Sequence, residues 1–162
     1  PYPITLFPAV RPFYEEHGYM TTSSMEEYRL PTNNGGERIS APSLEQPLPS
    51  SSLDRIYREA TKERGALMRD ALGLDFLIDG YELASVQEGY AFIKDGIAVE
   101  AMATSIEAAS NLLALLKSKE VEKLRIIANS PFATLLEGPY TQIPMGMSTE
   151  ASMRGVYIAE QY

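Results

Sequence analysis

The side chains able to carry acid–base chemistry are few. The 162-residue sequence has no Cys and one histidine, His17. Disulfides, thiolate metal sites, a Cys nucleophile and a multi-His metal site within one chain are thereby excluded, and no metal is expected. The remaining interest centres on PFYEEHGY, where Tyr14 precedes His17 by three residues and the two fall close to one face of a helical turn. A phenol in this position either moves a proton or packs half-buried along a helix edge, as most tyrosines do. His17, just before Gly18, either relays a proton or complements the helix C-terminus. Glu15-Glu16 and Glu26-Glu27 can receive a cationic amine, although on a strand only one of Glu26 and Glu27 faces a given side. Solvated surface charge is the plainer reading of both pairs. Arg58, Lys62, Arg64 and Arg69 recur on a second helical stretch, but Glu59 and Glu63 among them fit a salt-bridged exposed face. Met145, Met147 and Met153, with Tyr157, read as core packing before they read as a pocket wall.

Composition bounds the partners. Hydrophobic residues make up 44% and charged residues 22%, the ordinary globular range. Fourteen Lys and Arg against 22 Asp and Glu give a net charge of −8, with no basic cluster longer than two residues. Nucleic acid binding is disfavoured, because neutralising phosphates needs a basic face. No run approaches the roughly 20 apolar residues of a membrane helix, and the first ten residues lack a signal-peptide pattern. The expectation is a cytoplasmic protein with no membrane partner. Pro1-Tyr2-Pro3, without an initiator Met, reads as the interior of a longer polypeptide.

Residues 31–50, dense in Pro, Gly, Asn and Ser, read as a linker between a short segment, 1–30, and a longer one, 51–162. In the longer segment, Leu53, Ile56, Tyr57, Ala60, Ala66 and Leu67 are spaced for a helix capped near Ser51–Asp54 and interrupted at Gly65. Val86–Lys94 and Ile97–Ala103 predict a hairpin turning at Asp95-Gly96. Ser105 opens a helix with Ile106, Ala109, Leu112, Leu113 and Leu116 on its apolar side and Lys117, Lys119 and Lys123 at its end. Leu124–Ala128 predicts a buried strand, and Ser130-Pro131 a short helix over Phe132–Leu136. Strands around Thr141–Met147 and Met153–Ala159 complete an α/β order with a mixed sheet. In the short segment Ile4–Phe7 predicts a strand, Arg11–His17 a short helix, and Tyr19–Leu30 one long strand or two short ones. ITLF followed by PFYEEHGY parallels RIIANSPFATLLEGPY, with Pro12-Phe13 answering Pro131-Phe132 and Gly18-Tyr19 answering Gly138 and Tyr140. An unpaired Ile4–Phe7 edge would favour a homo-oligomer.

FPAVRPFYEEHGYMTTSSMEEYRLP resembles the closing part of a GNAT-superfamily N-acetyltransferase domain, and LDRIYREATKERGALMRD the link into a second, degenerate GNAT-like domain, as in two-domain bacterial proteins of the enhanced-intracellular-survival type. The resemblance implies a GNAT-like mixed sheet flanked by helices, with a partial first domain followed by a fuller degenerate second one. It implies an acetyl-CoA-dependent transfer to a primary amine on a small molecule or peptide. Tyr14 would be the general acid, Leu6 and Phe7 would lie on the strand beside the pantetheine arm, and Phe13 would pack near the cofactor. Ala133 stands where Tyr14 stands in the first copy, so the second would lack the acid. The family's Gly-rich pyrophosphate turn has no counterpart in the sequence: Asn34-Gly35-Gly36 lies in the linker, and Gly146 and Gly155 are wrongly spaced. The rival reading is a non-catalytic ligand-binding or interaction module that retains the fold.

Overall fold

In a computed structural model of the chain, residues 5–6, 11–31, 48–62 and 79–149 are described. The strand predicted for Met153–Ala159, the Gly-rich Asn34–Arg38 and the second half of the helix beyond Lys62 lie outside them. The elements, in order, are β1 Thr5–Leu6, α1 Arg11–Glu16, β2 Met20–Arg29, α2 Ser50–Thr61, β3 Glu82–Val86, β4 Gly89–Lys94, β5 Ile97–Ala103, α3 Ile106–Ser118, β6 Lys123–Ile127, a 3-10 turn Pro131–Thr134, and β7 Tyr140–Ser148. The seven strands form one mixed sheet in the order β1-β7-β2-β6-β5-β4-β3.

Alternation along the strands assigns the two faces. Tyr90 and Phe92 of β4 join Met25, Met102, Ile127 and Met145 beneath Leu53, Ile56 and Tyr57 of α2. Ala91 and Ile93 join Ala98, Ala101, Leu124 and Ile126 beneath α3 and Phe132 on the other face. The α3 helix buries Ala108 and Leu115 along with the predicted Ala109, Leu112, Leu113 and Leu116. Ile106 departs from that stripe at 55% exposure, because at the first helical position its side chain leans back past the packed turn. Ser105 caps the helix, its Oγ accepting from the Ala108 amide at 3.1 Å. Lys123, predicted at the helix end, begins β6 instead.

The run Val86–Lys94 is two strands rather than one, with β3 and β4 turning at Gln87-Glu88. Neither of the two central turn residues is a Gly or Asn, and Gly89 only closes the turn. Glu88 adopts φ 64, and tertiary contacts hold it there: Arg55 donates to both its carboxylate oxygens at 2.8 and 2.6 Å, and the Thr104 amide donates to its carbonyl at 3.1 Å. The predicted Asp95-Gly96 turn is present, with φ 51 and 74. Two further boundaries move. The α2 helix starts at Ser50 behind Pro49, without a side-chain cap, and the helix predicted over Phe132–Leu136 is a 3-10 turn whose Ser130 makes no cap bond.

The strands before residues 31–50 lie among strands that follow them. The β2 strand pairs with β7 over Met20–Tyr28 and with β6 over Met25–Arg29, antiparallel to both. Leu6 of β1 faces Met147 of β7, and Ile126 of β6 faces Glu26 of β2. Under the sequence repeat these pairs correspond to within a residue, so β1-β7-β2-β6 has a pseudo-two-fold axis between β7 and β2. Each copy's first strand pairs with the other copy's last. Near the axis the buried Thr22 hydroxyl donates to the carbonyls of Met145 and Gly146, at 3.1 and 3.2 Å, where Gly146 takes φ 47.

Glu27 fastens β2 to β6, accepting from Lys123 Nζ at 3.0 Å and Arg125 Nε at 2.9 Å. Burial alone would raise its carboxyl, but the bonds from Arg125 and Lys123 outweigh it and hold the pKa below the ordinary 4.5. The stabilisation is therefore complete above pH 4.5 and is lost as pH falls through the lower folded value. Glu27→Gln should cost about 1–3 kcal/mol at neutral pH, measured by urea unfolding. The same variant should show a shallower loss of stability on acidification below the carboxylate range.

Candidate functional site

Two places combine chemistry with shape. The first is α1, held to the start of β2 by Arg11, whose Nη2 donates to Glu15 at 3.2 Å and to Thr21 Oγ1 at 2.7 Å. Tyr14 is half-buried on this helix. Its ring meets Phe13 edge-on at 5.2 Å and Tyr19 at 5.7 Å, and its carbonyl accepts from the amides of His17 and Tyr19, both at 3.0 Å. No side chain among the described residues bonds its hydroxyl. Phe13 is 54% exposed and stacks on His17 at 4.5 Å. His17 Nδ1 donates to the Phe13 carbonyl at 2.7 Å, which ties that nitrogen to the helix backbone rather than to the Tyr14 phenol. Leu6 pairs with Met147 in β1, and Phe7 lies outside the described residues.

The carboxylate pairs separate as strand geometry requires. Glu26 accepts from the Tyr28 hydroxyl at 3.0 Å, and burial with that neighbouring carboxylate pushes the phenol up to about 12. Glu27 is engaged by its two cations and is not free to receive an amine. Arg58 pairs with Asp54 at 2.7 Å and Lys62 with Glu59 at 3.8 Å, the exposed salt-bridged face that the spacing predicts. Met145 and Met147 are buried in β7.

The second place was not legible in the sequence. The parallel pair β5–β6 is joined only at Ile97–Lys123 and Ala98–Leu124. There the β4–β5 register slips, Phe92 facing Glu100 and Ile93 facing Ala98, so Val99 is an extra residue in β5. A bulge bends its strand and raises the local twist, which accounts for the parting of β5 from β6 beyond that point. Between the parted ends and the last turn of α2 lies a cavity of about 470 Å³ whose lining includes Ala60, Ala103, Thr104, Ile127, Ala128 and Ser130. Beneath α2, Glu100 is 5% exposed and accepts from the Tyr90 hydroxyl at 2.8 Å. Only the pairing of strands distant in sequence reveals the bulge and the opening. Among the described residues, no group of three or more His, Cys, Asp or Glu is placed to hold a metal, and no helix is long and apolar enough to cross a membrane.

No family profile and no curated protein matches the sequence. Solved structures do. A conserved protein from Enterococcus faecalis described as a probable N-acyltransferase superposes with TM-score 0.62 at 20% identity, covering 89% of this chain and 44% of that one. GCN5-related N-acetyltransferases from Kribbella flavida and Anabaena variabilis give TM-scores of 0.55 and 0.57 at 17% and 15% identity. They cover 89% and 92% of this chain, and 41% and 46% of their own. The chain therefore has the fold of the GCN5-related N-acetyltransferases and spans less than half the length of these relatives.

Gly89 lets the parted strand and α3 meet at close quarters. A Cβ there would lie 3.2 Å from Val86 Cγ2, 3.3 Å from the Met102 carbonyl and 3.6 Å from the Ala108 carbonyl. Gly89→Ala should lower stability by about 1–3 kcal/mol, read from the urea midpoint, because two of those neighbours must give way.

Proposed function

We propose that the chain is the C-terminal portion of an acetyl-CoA-dependent N-acetyltransferase: residues 1–30 close a first, catalytic unit, and residues 51–162 form a second unit of the same fold that has lost the acid. The observation that carries this reading is Tyr14, half-buried on a helix between a sheet edge and β2, with its hydroxyl unclaimed by any side chain among the described residues. Acetyl-CoA supplies the acyl group. The acceptor amine, on a small molecule or a peptide, bonds to the thioester carbonyl carbon, the C–S bond breaks, and Tyr14 donates its phenolic proton to the departing thiolate. The base that takes the amine proton, and the turn that holds the pyrophosphate, belong to sequence upstream of Pro1.

The turn from β5 into α3 favours the rival reading for the second unit alone. Thr104-Ser105 stands where a Gly-rich anion turn would be, Ser105 already caps α3, and Glu107 occupies its first turn. The second unit is on this reading a non-catalytic binding module fused to the catalytic one.

In the protein extended upstream, Tyr14→Phe should lower kcat roughly tenfold to a hundredfold or more, with little change in KM for acetyl-CoA. Steady-state turnover with a panel of primary amines measures this, and unchanged kcat removes Tyr14 from the mechanism.

A further inference from the structure

We propose that Glu26, Tyr28 and Tyr140, on the α3 face of the sheet, form a binding site for a guanidinium group carried by a small molecule or by an arginine of a peptide. The site includes neither Tyr14 nor any residue lining the cavity beyond β5 and β6, so it does not rest on the catalytic reading.

Alternation along β2 sorts its charges. Glu27 turns to the α2 side, where Lys123 and Arg125 of β6 bond it, and Arg29 follows it there. Glu26 turns to the other side and accepts from Tyr28, a member of the core beneath α3. Its cross-strand neighbours on that side are Ile126 of β6 and Gln142 of β7. Both bases of β6 are thus spent on the opposite face, and among the described residues no cation pairs with Glu26. Tyr28 feels the unbalanced charge: burial first, then the carboxylate, push its phenol up to about 12.

The β2–β7 pair sets an aromatic platform beside that carboxylate. Tyr140 stands directly opposite Tyr28, and the two rings lie 5.3 Å apart, tilted by 38°. Tyr140 is nevertheless 47% exposed. The repeat accounts for this. Tyr140 answers Tyr19 of the first copy, whose ring meets Tyr14 at 5.7 Å. Ala133 stands where Tyr14 stands, so Tyr140 lacks that partner and part of its ring stays open.

These groups suit a planar cation. A guanidinium stacks flat on a tyrosine ring, whose π face is negative, while its fork of N–H donors meets carboxylate oxygens. Glu26 and Tyr140 are diagonal neighbours across the ladder, about 7–8 Å apart, a span that such a group bridges. The exposed Gln142, opposite Glu26, offers its amide carbonyl as a second acceptor. An ammonium gains less here, because it is more strongly hydrated and makes no stack. The net charge of −8 draws cations toward the surface in general.

Titration of the 162-residue chain at constant ionic strength, followed by the NMR ring resonances of Tyr28 and Tyr140, tests this with four probes. They are N-acetylarginine methylamide, n-butylguanidinium, N-acetyllysine methylamide, and N-acetylcitrulline methylamide, the uncharged isostere of the first. The arginine amide or butylguanidinium should saturate with a dissociation constant on the order of 1–10 mM, the tighter of the two telling a peptide source from a small-molecule one. The lysine amide should bind roughly threefold more weakly than the arginine amide, or worse, and the citrulline amide should not saturate. Glu26→Gln, which keeps an acceptor for the Tyr28 hydroxyl, and Tyr140→Leu should each weaken the arginine amide about fivefold or more. Tyr140→Phe, which keeps the ring, should stay within about twofold of the unaltered chain. If Glu26→Gln does not fold, Tyr140→Leu, at an exposed position, decides. Failure of both guanidinium probes to saturate by about 50 mM, equal binding of the lysine or citrulline amide, or unaltered affinity in either weakening variant overturns the proposal.

Discussion

The fold depends on the insertion of β2 between β6 and β7. Without it β6 would expose one edge along its whole length, and β7 would keep only the two-residue contact with β1. A strand that supplies both neighbours contributes two ladders, and here it comes from the far side of residues 31–50. The polar contacts are concentrated where an error of register would be costly. Thr22 holds the crossing with β7, and Glu27 with Lys123 and Arg125 holds the crossing with β6. A slip of one residue would move Met25 off the α2 core and bury charge in its place.

That arrangement explains the repeat. Two copies of strand, short helix and strand, too short to bury a face alone, exchange their last strands about a pseudo-two-fold axis and complete one another. The copies then differ in their helices. In the first, α1 is a turn and a half of regular helix with Phe13 exposed and Tyr14 half-buried, and His17 follows just past its end. In the second, the same stretch tightens into a 3-10 turn whose Phe132 is fully buried against α3. Burying the aromatic draws the second copy into the core and leaves its Ser130 facing the cavity between β5 and β6. The symmetry is one of backbone pairing, and the side chains on it have diverged.

The cavity has a comparable cause. A single extra residue in β5 ends its pairing with β6, and the short side chains of Ala103 and Ala128 leave the gap unfilled. Glu59 and Lys62, one of each sign, stand at its rim. Fold and chemistry separate at this point: the arrangement of strands and helices is that of the acetyltransferase fold, whereas the groups lining the cavity belong to this chain.

Local signals decided much of the architecture. The Asp95-Gly96 turn, the Ser105 cap, the apolar spacing of α3, the buried strand over Leu124–Ile127 and the paired Pro-Phe motifs each act through neighbours a few residues away, so they were legible in the residues alone. The helix carrying Tyr14 and the salt-bridged face of α2 were legible for the same reason. Other features were settled between residues distant in the chain. Glu88 takes a positive φ without being a glycine because Arg55 and Thr104 hold it. Ile106 is exposed because its helix has only just left the sheet. The bulge at Val99, the parting of β5 from β6 and the cavity between them exist only once β4, β6 and α2 are in place around β5. Periodicity reports which face of an element is apolar; it carries no record of which strand lies beside it, and that choice of neighbour made both the shared sheet and its cavity.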